Sequence, residues 1–321
     1  MRWAGVDEAG YGPNLGPLVM TLVVAEGPDA APPRVWDDLA ATVARADDPS
    51  PRLWVDDSKR VFKARKGRDR LDAATLAALD AVGRPSPRTL GDLFAAVGAG
   101  SLEKVELSPW LDPGADPRYP PITSRSFAEA AVARRPFAGA SWRLVDVRSV
   151  VVGPRRFNES MAASPSGSKA AAHFAAFADL LRHAWDAAPR DQPLFVRGDK
   201  HGGRHFYAEP LRAAFPAADV TPGAEGPDLS SYRLASPGRP ALHLDLVPRA
   251  DGDDGLVSLA SIVSKSLREH WMEAFNTHWL ALIPGLKPTA GYPVDALRYR
   301  GAIEPLCQAR GLDPADWWRV K

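Results

Sequence analysis

The segment GVDEAGYG, residues 5–12, decides how the chain folds at its start. It sets two adjacent carboxylates, Asp7 and Glu8, at the end of the first apolar run and directly before a turn that contains Gly10 and Gly12. Successive strand residues face opposite sides of a sheet, so both carboxylates reach one site only where the strand ends or bulges. Because glycine supplies that backbone freedom, we expect a carboxylate site at the end of the first strand.

The remaining pattern favours an α/β domain with a central mixed β-sheet flanked by helices. Alternating or short apolar runs predict strands, and longer apolar periodicity predicts helices. The predicted strands are 2–8, 17–25, 141–153, 193–199 and 241–251, and the predicted helices are 35–46, 168–188 and 258–282. Residues 84–140 are rich in proline and are expected to be irregular. We expect one domain over 1–321, with insertions at about 60–140 and 204–240.

Bulk composition excludes several classes of protein. A net charge of +1 over 321 residues is too small for a protein that holds nucleic acid by charge alone. The single cysteine, Cys307, excludes an internal disulfide and a cysteine-based zinc cluster. The sequence contains no run of about 18 apolar residues, so we expect no membrane span. The sequence begins in a strand-like segment without a secretion signal, so we expect a reducing, cytoplasmic setting.

A basic run follows the first predicted helix. Between residues 59 and 70 there are seven basic side chains and one acid, Asp69. A run of this kind forms either a solvated helix face or a surface for phosphates, and the sequence leaves both open.

Carboxylates also end two later strands, as Asp199 and Asp251. Strand ends meet at one edge of an α/β sheet, where sites usually form. Carboxylates held together repel one another, and a shared hard cation, Mg²⁺ or Mn²⁺, removes that conflict. Two such ions stabilise the attacking and leaving oxygens of a phosphodiester, so metal-assisted phosphoryl cleavage is the natural hypothesis. Taken singly, each acid is more often a cap or turn residue than a metal ligand, and Asp253 or Asp254 could replace Asp251.

The opening GVDEAGYGPNLGPLV resembles the first motif of type 2 ribonucleases H, where an Asp-Glu pair precedes a Gly-x-Gly turn and then Gly-Pro. Further elements are similar to those of the same family, in the family's order. They are DDSKRV (56–61), FNES (157–160), FVRGDKHGGR (195–204), ADGDDGLVSLASIVSK (250–265) and PTAGYP (288–293). The matches are patchy but touch most of the chain.

This resemblance implies a ribonuclease H-like fold and a metal-dependent endonuclease. The enzyme would cleave the RNA strand of RNA:DNA hybrids, or ribonucleotides embedded in duplex DNA, leaving 3′-hydroxyl and 5′-phosphate ends. The expected partner is that nucleic acid, with no membrane, and the chain is expected to be a monomer. The implied catalytic residues, which would also hold two Mg²⁺ or Mn²⁺ ions, are Asp7, Glu8, Asp199 and Asp251.

The resemblance also implies how substrate is bound. Backbone groups of the Gly-Tyr-Gly turn would read the ribose 2′-OH, the atom that separates RNA from DNA. Tyr292 would pack on the sugar next to the cleaved bond. The implied substrate-binding residues are Gly10, Tyr11, Gly12, Lys59, Ser261, Lys265 and Tyr292, with Lys59, Ser261 and Lys265 on phosphates. His201 is expected to be a solvated loop side chain.

The sequence departs from the family at two places. Tyr11 stands between the glycines where the family has Arg or Thr, and the chain ends in DPADWWRVK without a His-Arg-Arg-Ser-Phe-like segment. Two alternatives therefore stay open: a nucleic-acid-binding protein that does not cut, and a junction-resolving nuclease indifferent to ribose. The lack of a glycine-rich loop followed by Lys-Ser/Thr argues against a P-loop ATPase.

Overall fold

The computed structural model describes residues 1–28, 31–98, 119 and 122–320. Its strands form a large sheet and a separate pair. The large sheet contains β1 (Arg2–Ala9), β2 (Leu18–Glu26), β5 (Arg143–Val152), β6 (Leu194–Asp199), β7 (Asp219–Glu225), β8 (Ser230–Ala235) and β9 (Leu242–Val247); the pair is β3 (Val43–Ala44) and β4 (Leu53–Trp54).

Helices connect and cover the strands. They are α1 (Val35–Asp38), α2 (Ser58–Lys63), α3 (Gly67–Ala81), α4 (Leu90–Ala96), α5 (Ile122–Ala133), α6 (Pro154–Ala162), α7 (Lys169–Asp186), α8 (Ala208–Ala214), α9 (Ala250–Asp253), α10 (Gly255–Leu282) and α11 (Pro293–Ala309). A short 3₁₀ turn spans Pro314–Asp316. Among the described residues, none of the helices combines the length and apolar character needed to cross a membrane.

The strand order of the large sheet is β5-β2-β1-β6-β9-β8-β7. β2 runs antiparallel to both β1 and β5, whereas β1, β6 and β9 are mutually parallel. The β7–β8 hairpin then returns antiparallel to β9. The carboxyl ends of the three parallel strands therefore lie side by side at one edge of the sheet.

Two apolar layers sandwich this sheet. On one face α10 packs against β1 and β2, and α3 packs against α10 and α5. On the other face α7 packs against β2 and β5, with α6 and α8 beside it. The prediction of an α/β fold with a central mixed sheet flanked by helices is thus confirmed.

The individual strand predictions agree with the structure to within a few residues, but two others fail. The helix predicted at 35–46 ends after one turn, and its second half becomes β3. The segment 84–140 is not simply irregular, because it contains α4 and α5; residues 99–118, 120 and 121 within it lie outside the described part of the chain. Within 204–240, α8, β7 and β8 form, and the two strands extend the sheet.

Gly5 fixes how closely α10 approaches β1. A Cβ placed at Gly5 would lie 2.3 Å from the backbone carbon of Leu256 and 2.3 Å from the backbone nitrogen of Val257. Backbone atoms cannot yield as a flexible side chain does, so any side chain at position 5 must push the helix off the sheet. Since α10 also carries residues of the candidate site, this contact sets the depth of the site.

We expect Gly5→Ala to lower the free energy of unfolding by about 1–3 kcal/mol, because it overpacks a backbone-to-backbone contact. Gly301→Ala is the matched control: Gly301 lies in α11 with no atom within 4 Å of an added Cβ. That control should raise stability by roughly 0.5–1 kcal/mol through helix propensity. Urea unfolding of both variants tests the difference, and equal stability of Gly5→Ala and wild type would contradict it.

Candidate functional site: carboxylates beside a glycine loop

Asp7 and Glu8 lie on β1 at the point where β1 and β6 separate. Pairing of β1 with β6 ends at Val6 opposite Gly198, whereas pairing with β2 continues without a bulge to Ala9. The strand therefore opens on one side only, at the level of the two acids. Strand alternation then directs Asp7 to the face covered by α10 and Glu8 to the face covered by α7.

Asp7 is buried, 7% exposed, against hydroxyl groups of α10. Burial and the charge of Glu8, with a further contribution from Asp251, raise the pKa of Asp7 well above its usual range, although a hydrogen bond from Ser261 opposes this. The Ser261 hydroxyl also lies 2.9 Å from the Ser58 hydroxyl. One turn further along α10, Ser264 Oγ lies 3.0 Å from the main-chain oxygen of Asp7. These hydroxyls hold the strand and its carboxyl group in place.

Glu8 has a different environment on the other face. Its Oε2 lies 3.2 Å from Nε2 of the buried His173 on α7. Burial alone would raise the pKa of Glu8, but the imidazole of His173 and the charge of Lys59 outweigh it, so the pKa is lowered. Two adjacent carboxyl groups are thus driven in opposite directions: Asp7 toward the protonated form and Glu8 toward the ionised form.

Asp199 and Asp251 complete the cluster. Asp199 ends β6, and its Oδ1 accepts hydrogen bonds from the backbone N–H groups of Lys200 (2.9 Å) and Arg249 (2.7 Å). Burial still raises its pKa, and the charge of Glu8 adds to this. Asp251 lies in α9, four residues beyond the end of β9, so the expectation that it ends a strand is wrong.

The charges around Asp251 tie it to this cluster. Burial, together with the charges of Asp57 and Asp199, raises the pKa of Asp251 to about 6, while Lys59 acts in the other direction. Its neighbours have other surroundings. The Asp254 side chain caps α10 by accepting from the backbone N–H groups of Leu256 and Val257. Asp253 is exposed. These surroundings favour Asp251 over both neighbours as the fourth acid.

The DDSK segment places the positively charged side chain of Lys59 near the acids. The Asp57 side chain caps α2 by accepting from the backbone N–H of Lys59, at 2.7 Å. Asp56 is buried, and its Oδ2 pairs with Arg60 at 3.1 Å. The cap starts the helix at Ser58, which leaves Lys59 exposed and close enough to affect the pKa of both Glu8 and Asp251.

Lys265 is differently engaged. Its Nζ lies 2.5 Å from Oε1 of Glu269 and 4.6 Å from the ring centre of Phe62. Its ammonium is therefore already paired within the chain. In the basic run, Arg60, Lys63, Arg65 and Lys66 are exposed.

The Gly-Tyr-Gly turn lies beside the carboxylates. Gly10 has φ +89°, and a Cβ there would lie 2.4 Å from both the Pro17 carbonyl oxygen and Arg268 Nε, so only glycine fits. Gly12 is exposed, and an added Cβ would lie 3.9 Å from Cε1 of Tyr292. Tyr292 is 55% exposed, so the turn and this ring share an accessible surface. The Tyr11 ring packs edge-on against His173, 4.8 Å between centres.

Sequence reasoning missed two histidines. His173 belongs to the buried side of α7 and contacts Glu8, whereas the apolar periodicity of 168–188 predicts only that a helix forms. His201 is not a solvated loop residue: its ring packs against His173, Phe177 and Tyr207, and burial lowers its pKa well below the usual range. A histidine within an apolar helical stripe was the available signal for His173. His201 could not be located because its neighbours come from distant segments.

The donor set suits a hard divalent cation. Asp7, Asp199 and Asp251 have raised pKa values through burial and through repulsion from neighbouring carboxylates, and a bound cation relieves both effects. All four acids offer oxygen, which Mg²⁺ and Mn²⁺ prefer. Over the described residues, however, no three His, Cys, Asp or Glu side chains already stand grouped at the spacing of metal ligands. The chemistry of these residues therefore fits such an ion, and a preformed coordination cage is not present in that part of the chain.

Comparison with known proteins gives structural matches only. The sequence matches no family model and no curated protein. The chain is similar to ribonuclease HII from Archaeoglobus fulgidus, solved in complex with PCNA, with 16% identity, TM-score 0.42, and coverage of 100% of this chain and 95% of that one. It is similar to ribonuclease H2 from Pyrococcus horikoshii with 17% identity, TM-score 0.42, and coverage of 99% and 92%. It is also similar to Bst ribonuclease HIII in complex with Mn²⁺, with 13% identity, TM-score 0.43, and coverage of 99% of this chain and 66% of that one.

Replacing Asp251 and Asp254 should shift stability in opposite directions at pH 8. A folded-state pKa near 6 means that ionisation of Asp251 destabilises the fold as pH rises from about 4 to above 6. Asp251→Asn should therefore raise the free energy of unfolding by about 1–2 kcal/mol at pH 8, after allowing for solvent screening, and change little at pH 4. Asp254→Ala should lower it by about 1 kcal/mol through loss of the cap.

Thermal melts in chelator at pH 4 and pH 8 measure both effects. A destabilised Asp251→Asn protein at pH 8 would make Asp251 a structural residue and remove it from the cluster.

Proposed function

We propose that this protein is a metal-dependent endoribonuclease with a ribonuclease H-like fold, which cleaves the RNA strand of RNA:DNA hybrids or ribonucleotides embedded in duplex DNA. The observation that carries the proposal is the gathering of Asp7, Glu8, Asp199 and Asp251 beside an exposed glycine turn. These acids come from three different segments of the chain, and charge interactions connect them.

Asp7, Glu8, Asp199 and Asp251 would hold the divalent ions, two Mg²⁺ or Mn²⁺. Bound there, such ions activate a water molecule and stabilise the leaving oxygen of a phosphodiester. The protein's own residues prepare this site. Ser261 and Ser264 fix the strand that carries Asp7, and His173 keeps Glu8 in its ionised form.

Substrate would lie along the exposed surface formed by the Gly-Tyr-Gly turn and Tyr292. Lys59 is exposed next to two of the acids, where it can meet a phosphate that approaches the cluster. Ser261, buried against Asp7, acts through the acid rather than through a phosphate, and Lys265 would first have to leave Glu269. We therefore propose Gly10, Tyr11, Gly12, Lys59 and Tyr292 as the substrate contacts and assign Ser261 and Lys265 supporting roles.

Other features of the chain are compatible with this activity. We retain the hypothesis of one catalytic domain over 1–321 that acts as a monomer. Cys307 is buried, and burial raises the pKa of its thiol to about 11, which suits a structural thiol in a reducing compartment such as the cytoplasm.

The proposal is tested by cleavage of three duplexes: one with a single ribonucleotide, one RNA:DNA hybrid and one all-DNA control. We expect cutting of ribose-containing strands only, dependent on Mg²⁺ or Mn²⁺ and abolished by chelator. Asp199→Asn should lower the rate at least 100-fold, because it removes a charged ligand. Asp253→Asn, an exposed neighbour of Asp251, is the matched control and should retain wild-type activity.

The alternatives give distinct results in the same assay. Equal cutting of all three duplexes would favour a nuclease indifferent to ribose. Binding of the ribose-containing duplexes without cutting in either metal would favour a binding protein. Full activity of Asp199→Asn would remove the carboxylate cluster from the mechanism.

Tyr292→Ala should lower kcat/KM for the single-ribonucleotide duplex about tenfold or more, because it removes an exposed ring beside the turn. Leu297→Ala is the control, since Leu297 is a similarly exposed apolar side chain on α11, the helix that begins directly after Tyr292. Steady-state kinetics and a thermal melt of each variant separate lost contact from lost folding. Equal losses in both variants would contradict a specific role for the ring.

A further inference from the structure

Two buried arginines lie behind the Gly-Tyr-Gly turn, on the side away from solvent. Arg319 is 1% exposed and Arg268 is 3% exposed. Across the residues that the structure describes, no carboxylate lies within 4 Å of either guanidinium. Burial, together with the charge of Arg268, lowers the pKa of Arg319 to about 9.

Stability alone does not account for Arg319. Its Nε and Nη1 are buried without hydrogen-bond partners in the described structure, and burying a charge without full pairing is costly. The ring of Phe157, 4.5 Å from the guanidinium carbon, offsets only part of this cost. An apolar side chain of similar length would fill the same space more cheaply. The charge is therefore expected to serve the turn that it contacts.

Arg319 is attached to that turn through both its side chain and its backbone. Its Nη2 donates to the carbonyl oxygen of Gly10 at 2.7 Å and also to that of Pro13. Its backbone N–H donates to the Asn14 carbonyl oxygen at 2.9 Å. In return, Asn14 Nδ2 donates to the Arg319 carbonyl oxygen at 2.9 Å. Arg268 adds a further hydrogen bond, from Nη2 to the Leu15 carbonyl oxygen at 3.1 Å.

The geometry of the peptide bond fixes where the N–H group that follows the Gly10 carbonyl points. In a trans peptide the C=O and N–H groups point in opposite directions. Because the Gly10 carbonyl points at Arg319, the N–H of Tyr11 points away from it. In the described residues, neither that N–H nor the N–H of Gly12 has a backbone acceptor. A hydrogen bond from a cation polarises a peptide, so the Tyr11 N–H becomes a stronger donor.

We propose that Arg319 is a positioning residue for substrate selection: its guanidinium orients and polarises the Gly10–Tyr11 peptide so that the Tyr11 N–H is presented to the 2′-oxygen of the substrate ribose. The inference rests on the proposed function, because it assumes that the turn meets a sugar. It assigns a role to the carboxyl-terminal segment, which does not resemble the family's sequence there.

The test compares binding of two duplexes that differ in one atom, the 2′-oxygen of a single central nucleotide. Binding is measured by fluorescence anisotropy with Mg²⁺ in the Asp199→Asn background, where cleavage is suppressed. The readout is the ratio of Kd for the 2′-deoxy duplex to Kd for the ribonucleotide duplex. A merely structural role would weaken binding of both duplexes and leave this ratio unchanged.

Arg319→Gln should reduce the ratio at least fivefold. Arg155→Gln is the matched control, because Arg155 holds the same terminal segment through Asp313 and Asp316 without touching the turn. Its ratio should stay unchanged. Arg319→Lys retains a charge but lacks the rigid planar guanidinium that fixes the direction of these hydrogen bonds, so its ratio should also fall, by a smaller factor. It carries the test if Arg319→Gln does not fold in a thermal melt.

The two proposals fail in different ways. A parent protein that binds both duplexes equally would contradict ribose reading and hence the proposed function. A parent that prefers ribose, with the same preference after Arg319→Gln or, if that variant does not fold, after Arg319→Lys, would overturn only the role of Arg319. An equal fall in the Arg155→Gln ratio would also overturn it, because the whole segment rather than the guanidinium would then be responsible.

Discussion

Repulsion among carboxylates at the open end of β1 and β6 is the constraint on which the site depends. Asp7, Asp199 and Asp251 are partly or fully removed from water, which raises the pKa of each, and the charge of at least one neighbouring carboxylate raises it further. A fold selected for stability alone would separate such groups or pair each with a cation. Here Lys59 and His173 oppose the accumulated charge at Glu8, and Lys59 opposes it at Asp251. The arrangement is therefore destabilising until positive charge enters, which makes cation binding and stability two aspects of one interaction.

Close approach of α10 to the sheet makes this concentration of charge possible. Gly5 admits the helix backbone, and small hydroxyl residues on the facing side then reach β1. Ser261 contacts Asp7, while Ser264 reaches both the Asp7 main chain and Thr21 of β2. Larger side chains at these positions would fill the space with apolar atoms and leave the acid without donors. The same packing that buries Asp7 thus supplies the groups that orient it.

Local pattern predicted most of the fold because each central strand alternates or is apolar throughout, and β1, β2, β5, β6 and β9 form where expected. The acids at 7, 8 and 199 were located by the same logic, since strand ends meet at one edge. The same logic, together with the resemblance, singles out Asp251, but it wrongly predicts that Asp251 ends a strand, because this residue lies in α9. Windows of a few residues carry no information on contacts such as His173 with Glu8, which join segments far apart. The prediction of a helix over 35–46 failed for a related reason, because pairing of β3 with β4 overrides the helical pattern.

Distance along the chain also explains why the contact of the terminal segment with the turn could not be predicted from its sequence. DPADWWRVK reads as a cap followed by aromatic core residues, and Trp317 is indeed buried. Nothing in it indicates that Arg319 crosses to a turn 309 residues earlier. Asn158 holds the segment there, donating to the Trp318 carbonyl oxygen and accepting from the Val320 N–H, both at 2.9 Å. An anchor on α6 thus sets the position of a guanidinium whose hydrogen bond sets the direction of the Tyr11 N–H. Selectivity at the turn would then be determined by side chains that never touch the substrate, which is why their function becomes visible only in the folded chain.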